Sequence, residues 1–119
     1  MKKYDIIMSL VNLASNLVDP KNKKSIQVLI RESGYESLDK VDLALELEAV
    51  LLKDRSLIMD WLNWSENKRT DKGWFIKNEN HRYLVGYFNG AVISKSIIYS
   101  SESEACATFI LNEINSILN

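Results

Sequence analysis

Apolar residues recur every three to four positions in the first half of the chain, a spacing that predicts helices. The first helix is predicted over residues 3–17, with an apolar stripe on one side and a polar stripe on the other. The members of the apolar stripe are Ile6, Leu10, Leu13, Ala14 and Leu17. Asp19-Pro20 ends this helix, because the residue before a proline avoids the helical region. A second helix is predicted over residues 23–33, with Gly34 as its left-handed C-terminal cap.

The third predicted helix, residues 38–53, is apolar around most of its circumference. We therefore expect it to be the central and most buried helix. Its one polar stripe is acidic, with Asp39, Asp42 and Glu46 at positions i, i+3 and i+7. Two interpretations of these acids remain open. They can be solvated side chains that favour the positive N-terminus of the helix, or they can form a negative docking surface for a basic partner.

Two tryptophans lie in a fourth predicted helix, residues 55–65. Trp61 and Trp64 are three positions apart and share its apolar side. Tryptophans in this arrangement pack in the core or along a domain seam, and alternatively they anchor an exposed interface. Both possibilities stay open at the level of the sequence. The uniformly polar residues 66–72 are predicted to form a loop into the second half of the chain.

The second half changes to β-rich runs separated by turn residues, which predicts three strands. They cover residues 73–77, 82–88 and 91–99. Asn89-Gly90, between two of these runs, is typical of a two-residue hairpin turn. Such a turn pairs Phe88 with Ala91 and places Ile98 on the same face as Val85. Because both faces then carry apolar side chains, we expect the sheet to be covered on both sides, at least in part.

A capped helix closes the chain and completes the predicted fold. Ser101 is the predicted N-cap, and Glu104 completes a capping box three positions later. We predict an α+β fold: N-terminal helices, a three-stranded antiparallel β-sheet (a meander) and a C-terminal helix packed on the sheet. The 119 residues form one domain, with a helical portion over residues 1–66 and the meander plus closing helix over residues 73–118.

The charge and the single cysteine narrow the class of protein. The net charge is −1, so the chain lacks the basic field typical of proteins that bind nucleic acid, and we expect no nucleic-acid partner. No run approaches the roughly 18 apolar residues of a membrane span, so we expect no membrane association. One cysteine allows no internal disulfide, which favours a reducing compartment. Polar residues interrupt the apolar run after Lys2 and Lys3, which disfavours a signal peptide. The predicted location is the cytoplasm.

Candidate chemistry is sparse. Cys106 lies on an apolar helix face, where we expect an unreactive core residue. His81 is the single histidine, and one histidine with one cysteine is too few for a zinc site. Glycine-rich phosphate motifs are absent from the sequence. We predict no catalytic, cofactor-binding or metal-binding residues and no enzymatic activity. The alternative, a small enzyme that uses His81, requires a pocket around that residue with carboxylates close by.

The second half also carries a family resemblance. Its motifs are an aromatic-Ser pair at Trp64-Ser65, then Lys72-Gly73-Trp74-Phe75, the strand Tyr83-Leu84-Val85-Gly86-Tyr87, the Asn89-Gly90 hairpin, and a run from Tyr99-Ser100-Ser101 through Glu104-Ala105-Cys106-Ala107 to Phe109-Ile110 and Glu113-Ile114. This pattern resembles the C-terminal half of small bacterial immunity proteins of polymorphic toxin systems, particularly those of contact-dependent growth inhibition (CDI). The resemblance implies a cytosolic, cofactor-free protein. Such a protein binds one cognate toxin C-terminal domain, commonly a nuclease, and blocks its active site.

Acidic and aromatic side chains are the physical candidates for such an interface, because nuclease domains are basic and tryptophan anchors interfaces well. The candidate interface residues are Glu36, Asp39, Asp42, Glu46, Trp64, Glu66, Asp71, Trp74 and His81. The alternative function is a small cytosolic regulatory or adaptor protein that binds another protein partner. The docking face and the oligomeric state stay open.

Overall fold

The structure, a computed structural model, describes residues 2–68 and 72–119. Within these residues it has the predicted α+β fold, with helices and one antiparallel sheet in the strand order β1-β2-β3. The helices are α1 (Lys3–Val11), α2 (Leu13–Val18), α3 (Ile26–Ser33), α4 (Leu43–Lys53), α5 (Arg55–Asn67) and α6 (Glu102–Leu118), with a 3₁₀ turn at Tyr35–Ser37. The strands are β1 (Gly73–Glu79), β2 (Arg82–Phe88) and β3 (Ile93–Tyr99).

Helix α6 is the centre of the fold. It begins as predicted, because the Ser101 Oγ accepts a hydrogen bond of 3.3 Å from the backbone N–H of Glu104. One side of α6 packs against β1 and β2, and α4 packs against α6 as well. Ala105, Cys106 and Ala107 are buried, and their small side chains let these neighbours approach closely. Burial raises the pKa of the Cys106 thiol, which agrees with the expectation of an unreactive core cysteine.

The prediction that residues 38–53 form the most buried helix is wrong in two respects. The helix begins only at Leu43, after a residue with a positive φ angle, Asp42 (φ 60°). In addition, α4 buries only the face that carries Leu43, Leu47 and Leu51. Leu45 and Leu52 are 65% and 68% exposed. The reason is that α4 lies on the outside of α6, so only one of its faces has a partner.

The remaining helices follow the sequence pattern with local differences. The helix predicted over residues 3–17 is divided into α1 and α2 at Asn12, whose side-chain amide donates to the Met8 carbonyl oxygen at 2.8 Å. At α3 the capping was predicted correctly, since Gly34 adopts a left-handed conformation with a φ of 90°. The Ser25 side chain caps the other end of α3 by accepting from the Val28 N–H at 3.3 Å.

The two hairpins use different turns. Asn80 and His81 form a two-residue turn between β1 and β2, with positive φ angles of 51° and 66°. The Asn89-Gly90 turn is wider than predicted, because the Asn89 Oδ1 accepts from the N–H groups of both Ala91 and Val92. As a result Phe88 pairs with Ile93 rather than with Ala91.

This wider loop changes which side chains share a face of the sheet. Leu84 now pairs with Ile98, so Ile98 lies on the face opposite to that of Val85. The face with Ile76 and Val85 is buried beneath α6. On the opposite face Phe75 and Leu84 are half-buried whereas Phe88 and Ile98 are exposed, so this face is covered only in part.

On this open face, the absence of a side chain at Gly86 makes room for the ring of Phe75. A Cβ at Gly86 would lie 2.7 Å from the Phe75 Cζ and 2.6 Å from the Lys95 carbonyl oxygen. We expect Gly86→Ala to lower the free energy of unfolding by about 1–3 kcal/mol, because both contacts force the sheet to move. Ser96→Ala is the control, since Ser96 is exposed and pairs with Gly86. Urea unfolding measures both variants, and equal stability of the two would contradict the steric argument.

Candidate protein-docking surface

Three of the predicted interface acids lie around one cation. The Nζ of Lys3 is 2.7 Å from the Glu46 Oε1 and donates to the Val41 carbonyl oxygen at 3.4 Å. The hydrogen bond to Glu46 raises the pKa of Lys3, and the nearby carboxylates of Asp39 and Asp42 raise it further. Asp39 and Asp42 precede α4, so the predicted helical stripe is wrong. The turn nevertheless brings the three acids together.

We call Asp39, Asp42 and Glu46 the acidic cluster. Three carboxylates share one ammonium group, so the cluster with Lys3 keeps a net negative charge. Asp39 and Asp42 are exposed, and the Asp39 Oδ1 accepts from the Val41 N–H at 3.0 Å. Glu36 lies on the preceding 3₁₀ turn, with the Arg31 Nε at 3.9 Å from its carboxylate. The three acids therefore lie near one another at the surface, with an internal counter-charge that the sequence pattern did not indicate.

An exposed apolar stripe lies beside the acidic cluster. Leu45, Ala49 and Leu52 are spaced i, i+4 and i+7 along α4 and so share one face. All three are exposed, and Val41 just before the helix is 66% exposed. We call these four residues the α4 stripe. An exposed apolar face of this kind is typical of a surface that binds another protein.

Carboxylates border the α4 stripe on both sides. At 100° per residue, Glu46 and Glu48 project from opposite sides of Leu45. Glu48 also lines a shallow groove of about 290 Å³ between α4 and α6, together with Glu104. Sequence reasoning assigned Leu45 and Leu52 to the core. The sequence did contain an indication that part of this helix is exposed: residues 38–53 are apolar on more of the helix circumference than one neighbouring layer can cover.

The two tryptophans of α5 have different surroundings. Trp61 is fully buried, donates from Nε1 to the Val11 carbonyl oxygen at 2.9 Å and packs edge-on against Phe109. Trp64 is half-buried, and its Nε1 donates to the Glu113 Oε2 at 3.0 Å. Trp61 is therefore a core residue, and the indole N–H of Trp64 already has a partner within the protein.

Glu113 belongs to a buried ion pair that sequence reasoning missed. Its Oε2 lies 2.7 Å from the Nζ of Lys68, and the side chains of Glu113 and Lys68 are 5% and 10% exposed. The pair forms one wall of a cavity of about 530 Å³ that Trp64 and Lys72 also line. A pattern of sequence spacing could not indicate this pair, because its members are 45 positions apart.

The other predicted interface residues lie in separate places. Trp74 is half-buried, with its ring edge-on to Tyr87 at 5.4 Å between centroids. Glu66 is exposed and lines a groove of about 630 Å³ between α5 and β1. His81 is exposed at the hairpin tip, about 20 Å along the strand from Trp74. Asp71 lies outside the described residues.

The position of His81 also bears on the alternative of an enzyme. That hypothesis required a pocket around His81, whereas the side chain is exposed at a two-residue turn. In residues 2–68 and 72–119, no three His, Cys, Asp or Glu side chains, the acidic cluster included, are placed so that they could hold one metal ion. The described helices include none that is both long and apolar enough to cross a bilayer.

A second polar cluster fixes the N-terminus of α6. The guanidinium of Arg55 donates to both carboxylate oxygens of Glu102, at 2.7 and 3.2 Å, and the Tyr83 hydroxyl donates to Glu102 at 2.7 Å. Arg55 and then Tyr83 lower the pKa of Glu102 by stabilising its ionised form. The cluster joins α5, β2 and α6, which indicates a structural role.

Comparison of the chain with protein-family models, with curated proteins and with solved structures found no match.

Removal of the Lys68 ammonium should destabilise the fold, because it leaves the Glu113 carboxylate buried without its counter-charge. We expect Lys68→Met to lower the free energy of unfolding by about 3 kcal/mol. Lys24→Met is the matched control: the Lys24–Glu32 pair has the same 2.7 Å separation but exposed side chains. There we expect a loss below about 1 kcal/mol. Urea unfolding of both variants gives the comparison, and equal losses would argue against a buried pair.

The contribution of Glu102 should depend on pH. Its folded-state pKa is lowered, so its stabilising effect is complete above the ordinary carboxyl pKa of about 4.3 and is lost as the pH falls towards the lowered value. We expect Glu102→Gln to be less stable than the wild type at pH 7, and the difference to shrink as the pH falls below the ordinary carboxyl pKa. Thermal unfolding across this range tests the prediction, and a stability difference that does not change with pH would overturn it.

Proposed function

We propose that the chain is an immunity protein, which binds one cognate toxin domain and neutralises it by covering the active site. The observation that carries the proposal is the α4 stripe, an exposed apolar face bordered by carboxylates. An apolar centre with a charged rim is the usual composition of a protein–protein interface. The family resemblance of the second half of the sequence supplies the class of partner, a toxin C-terminal domain, with a nuclease as the expected activity.

The two parts of this surface contribute differently to binding. Burial of an exposed leucine or valine stabilises a complex by about 1.5–3 kcal/mol, so Val41, Leu45 and Leu52 are the candidates for affinity. The acidic cluster attracts a basic partner at long range and so increases the rate of association. A nuclease active site is cationic because it binds a polyanion. In this proposal, the carboxylates occupy the region that the nucleic-acid phosphates would otherwise occupy.

The proposal places the protein in the cytoplasm, where a nuclease toxin would reach its substrate. It requires neither a cofactor nor a catalytic residue, since inhibition by occlusion needs only a stable complex. A regulatory or adaptor protein could use the same surface for a different partner. The two functions differ in one measurable respect, which is whether binding abolishes an enzymatic activity of the partner.

Reversal of charge in the acidic cluster tests the docking face. We expect Asp39→Lys, Asp42→Lys and Glu46→Lys together to slow association with the toxin domain about tenfold or more, with a larger effect at low salt because screening is weaker there. In this proposal the partner is a toxin C-terminal domain, and the upstream reading frame is the place to look for it: a large secreted protein with a variable C-terminus there would supply the domain for the experiment. Stopped-flow or surface-based kinetics measure the association rate, and circular dichroism confirms that the variant folds.

The control for this experiment reverses three exposed acids outside the cluster, Asp19, Glu32 and Glu79, which gives the same change in net charge. An equal effect of the two triple variants would mean that only the net charge matters and that the cluster is not the dock. An unchanged association rate in the first variant would remove this surface from the proposal. Binding without inhibition of the partner would favour the adaptor function.

A further inference from the structure

Strand β3 has a free outer edge. It lies at one side of the sheet, and within residues 2–68 and 72–119 it pairs only with β2; six of its seven residues are exposed. The outward N–H and C=O groups of such a strand form a template for a further strand. The opposite edge of the sheet is different, because Ser65 of α5 accepts from the Ile76 N–H of β1 at 2.9 Å. The sheet is therefore open to extension at β3.

Apolar side chains flank this free edge on both faces of the sheet. Ile97 pairs with the buried Val85 and so lies on the face towards α6, yet it is 61% exposed. Ile98 is 61% exposed on the other face, with Ile93 47% exposed at the start of the strand. The exposure of Ile97 shows that α6 does not extend over the edge. A strand added there would meet apolar surface on both faces.

The edge carries few of the features by which monomeric proteins prevent strand addition. Proline within the strand, charges, a very short strand or a β-bulge usually serve this purpose. In β3 there is no proline, and Lys95 is the single charged residue among seven, but the pairing with β2 is irregular between Ile93 and Lys95. Residues Lys95–Tyr99 therefore form the regular, nearly uncharged part of the edge that a further strand can pair with.

We infer that β3 pairs antiparallel with β3 of a second copy of this chain, forming a two-fold symmetric dimer with a continuous six-stranded sheet. This inference goes beyond the proposed function and does not depend on it. A two-fold interface uses the same strand from both copies and closes after two subunits. The contact of Ser65 with β1 hinders further growth at the outer edges. The net charge of −1 gives little repulsion between the copies.

The position of Lys95 selects the register. Residues that lie opposite each other in antiparallel strands have their side chains on the same face of the sheet, and side chains alternate between the faces along each strand. A two-fold axis perpendicular to the sheet leaves each face where it is. Such an axis therefore pairs one residue of β3 with the same residue of the second copy, and it cannot lie between two consecutive residues. An axis at Lys95 would place two ammonium groups opposite each other, which is unfavourable. An axis at Ile97 pairs the two Ile97 side chains with each other and places Lys95 opposite Tyr99, where the ring can accept a cation–π contact.

The regular pairing of β3 with β2 runs from Lys95 to Tyr99, and an axis at the centre of this segment, Ile97, is the one that pairs all five of its residues with each other across the two copies. An axis at Ser96 or Ile98 would pair part of the segment with residues outside it. We therefore assign the axis to Ile97.

The dimer can be tested by mass measurement in solution. We expect sedimentation velocity to show a concentration-dependent dimer with a dissociation constant of about 1–100 μM, since pairing of one strand makes a small interface. Ile97→Lys places two like charges at the axis and removes apolar contact, and it should weaken the dimer at least about tenfold. Leu52→Lys is the matched control, because Leu52 is exposed to a similar extent on α4. It should leave the dimer unchanged.

A disulfide tests the register. Directly opposed residues of antiparallel strands have Cβ atoms about 4.5–5.5 Å apart, and a small local shift brings them to the roughly 3.5–4.5 Å of a disulfide. Ile97→Cys should therefore give a covalent dimer under mild oxidation, whereas Leu52→Cys should not. Native Cys106 is buried and should not interfere. A monomer at all concentrations up to about ten times the expected dissociation constant would overturn the inference. So would a dimer that Leu52→Lys disrupts and Ile97→Lys does not, because that dimer would form through α4.

Discussion

The burial of α6 is the constraint on which the rest of the structure depends. Residues around most of its circumference are buried, including Ala105, Cys106, Phe109, Ile110 and Ile114, so the helix needs apolar partners on several sides at once. The sheet covers one side, and α4 covers another. A chain of 119 residues that surrounds one helix in this way has little left to cover its outer layers. The exposed apolar surfaces of α4 and of the sheet follow from this arrangement.

Helix α5 is held against α6 by polar contacts near both of its ends. Arg55 at its start pairs with Glu102, and Lys68 just after its end pairs with Glu113. The two glutamates lie near opposite ends of α6, so the pairs fix the relative register of the two helices. The Arg55–Glu102 pair is partly solvated, whereas the Lys68–Glu113 pair is buried. Loss of one partner should therefore lower the free energy of unfolding more at the Lys68–Glu113 pair. Trp61, buried against Phe109 between these pairs, supplies the apolar contact.

The sequence predicted the helices, the strands and the helix caps better than it predicted which helix is central and which faces are buried. Ser101 and Gly34 act locally, through their own backbone neighbours, so a pattern of a few residues suffices to locate them. The position of α4 depends on α6, about 60 residues later, and periodicity cannot show which of two apolar helices is central. The acidic cluster was predicted as a set of residues, but its Lys3 counter-charge comes from α1. The second hairpin was predicted with a loop that is too short. The side chain of Asn89 holds a wider loop, and the resulting shift in strand pairing places Ile98 on the other face of the sheet.

The layered arrangement separates the two open apolar surfaces. The α4 stripe belongs to the helical layer, whereas the free edge of β3 belongs to the sheet, and α6 packs against both layers. A partner bound at α4 therefore need not compete with a second copy of the chain at β3. The chemistry of the surfaces also differs, because carboxylates border the α4 stripe while β3 carries a single lysine. An acidic rim favours a basic partner, and a nearly uncharged strand favours backbone pairing in which charge has little part. If both surfaces are occupied, the assembly contains two copies of the chain, and the α4 stripe of each copy stays accessible.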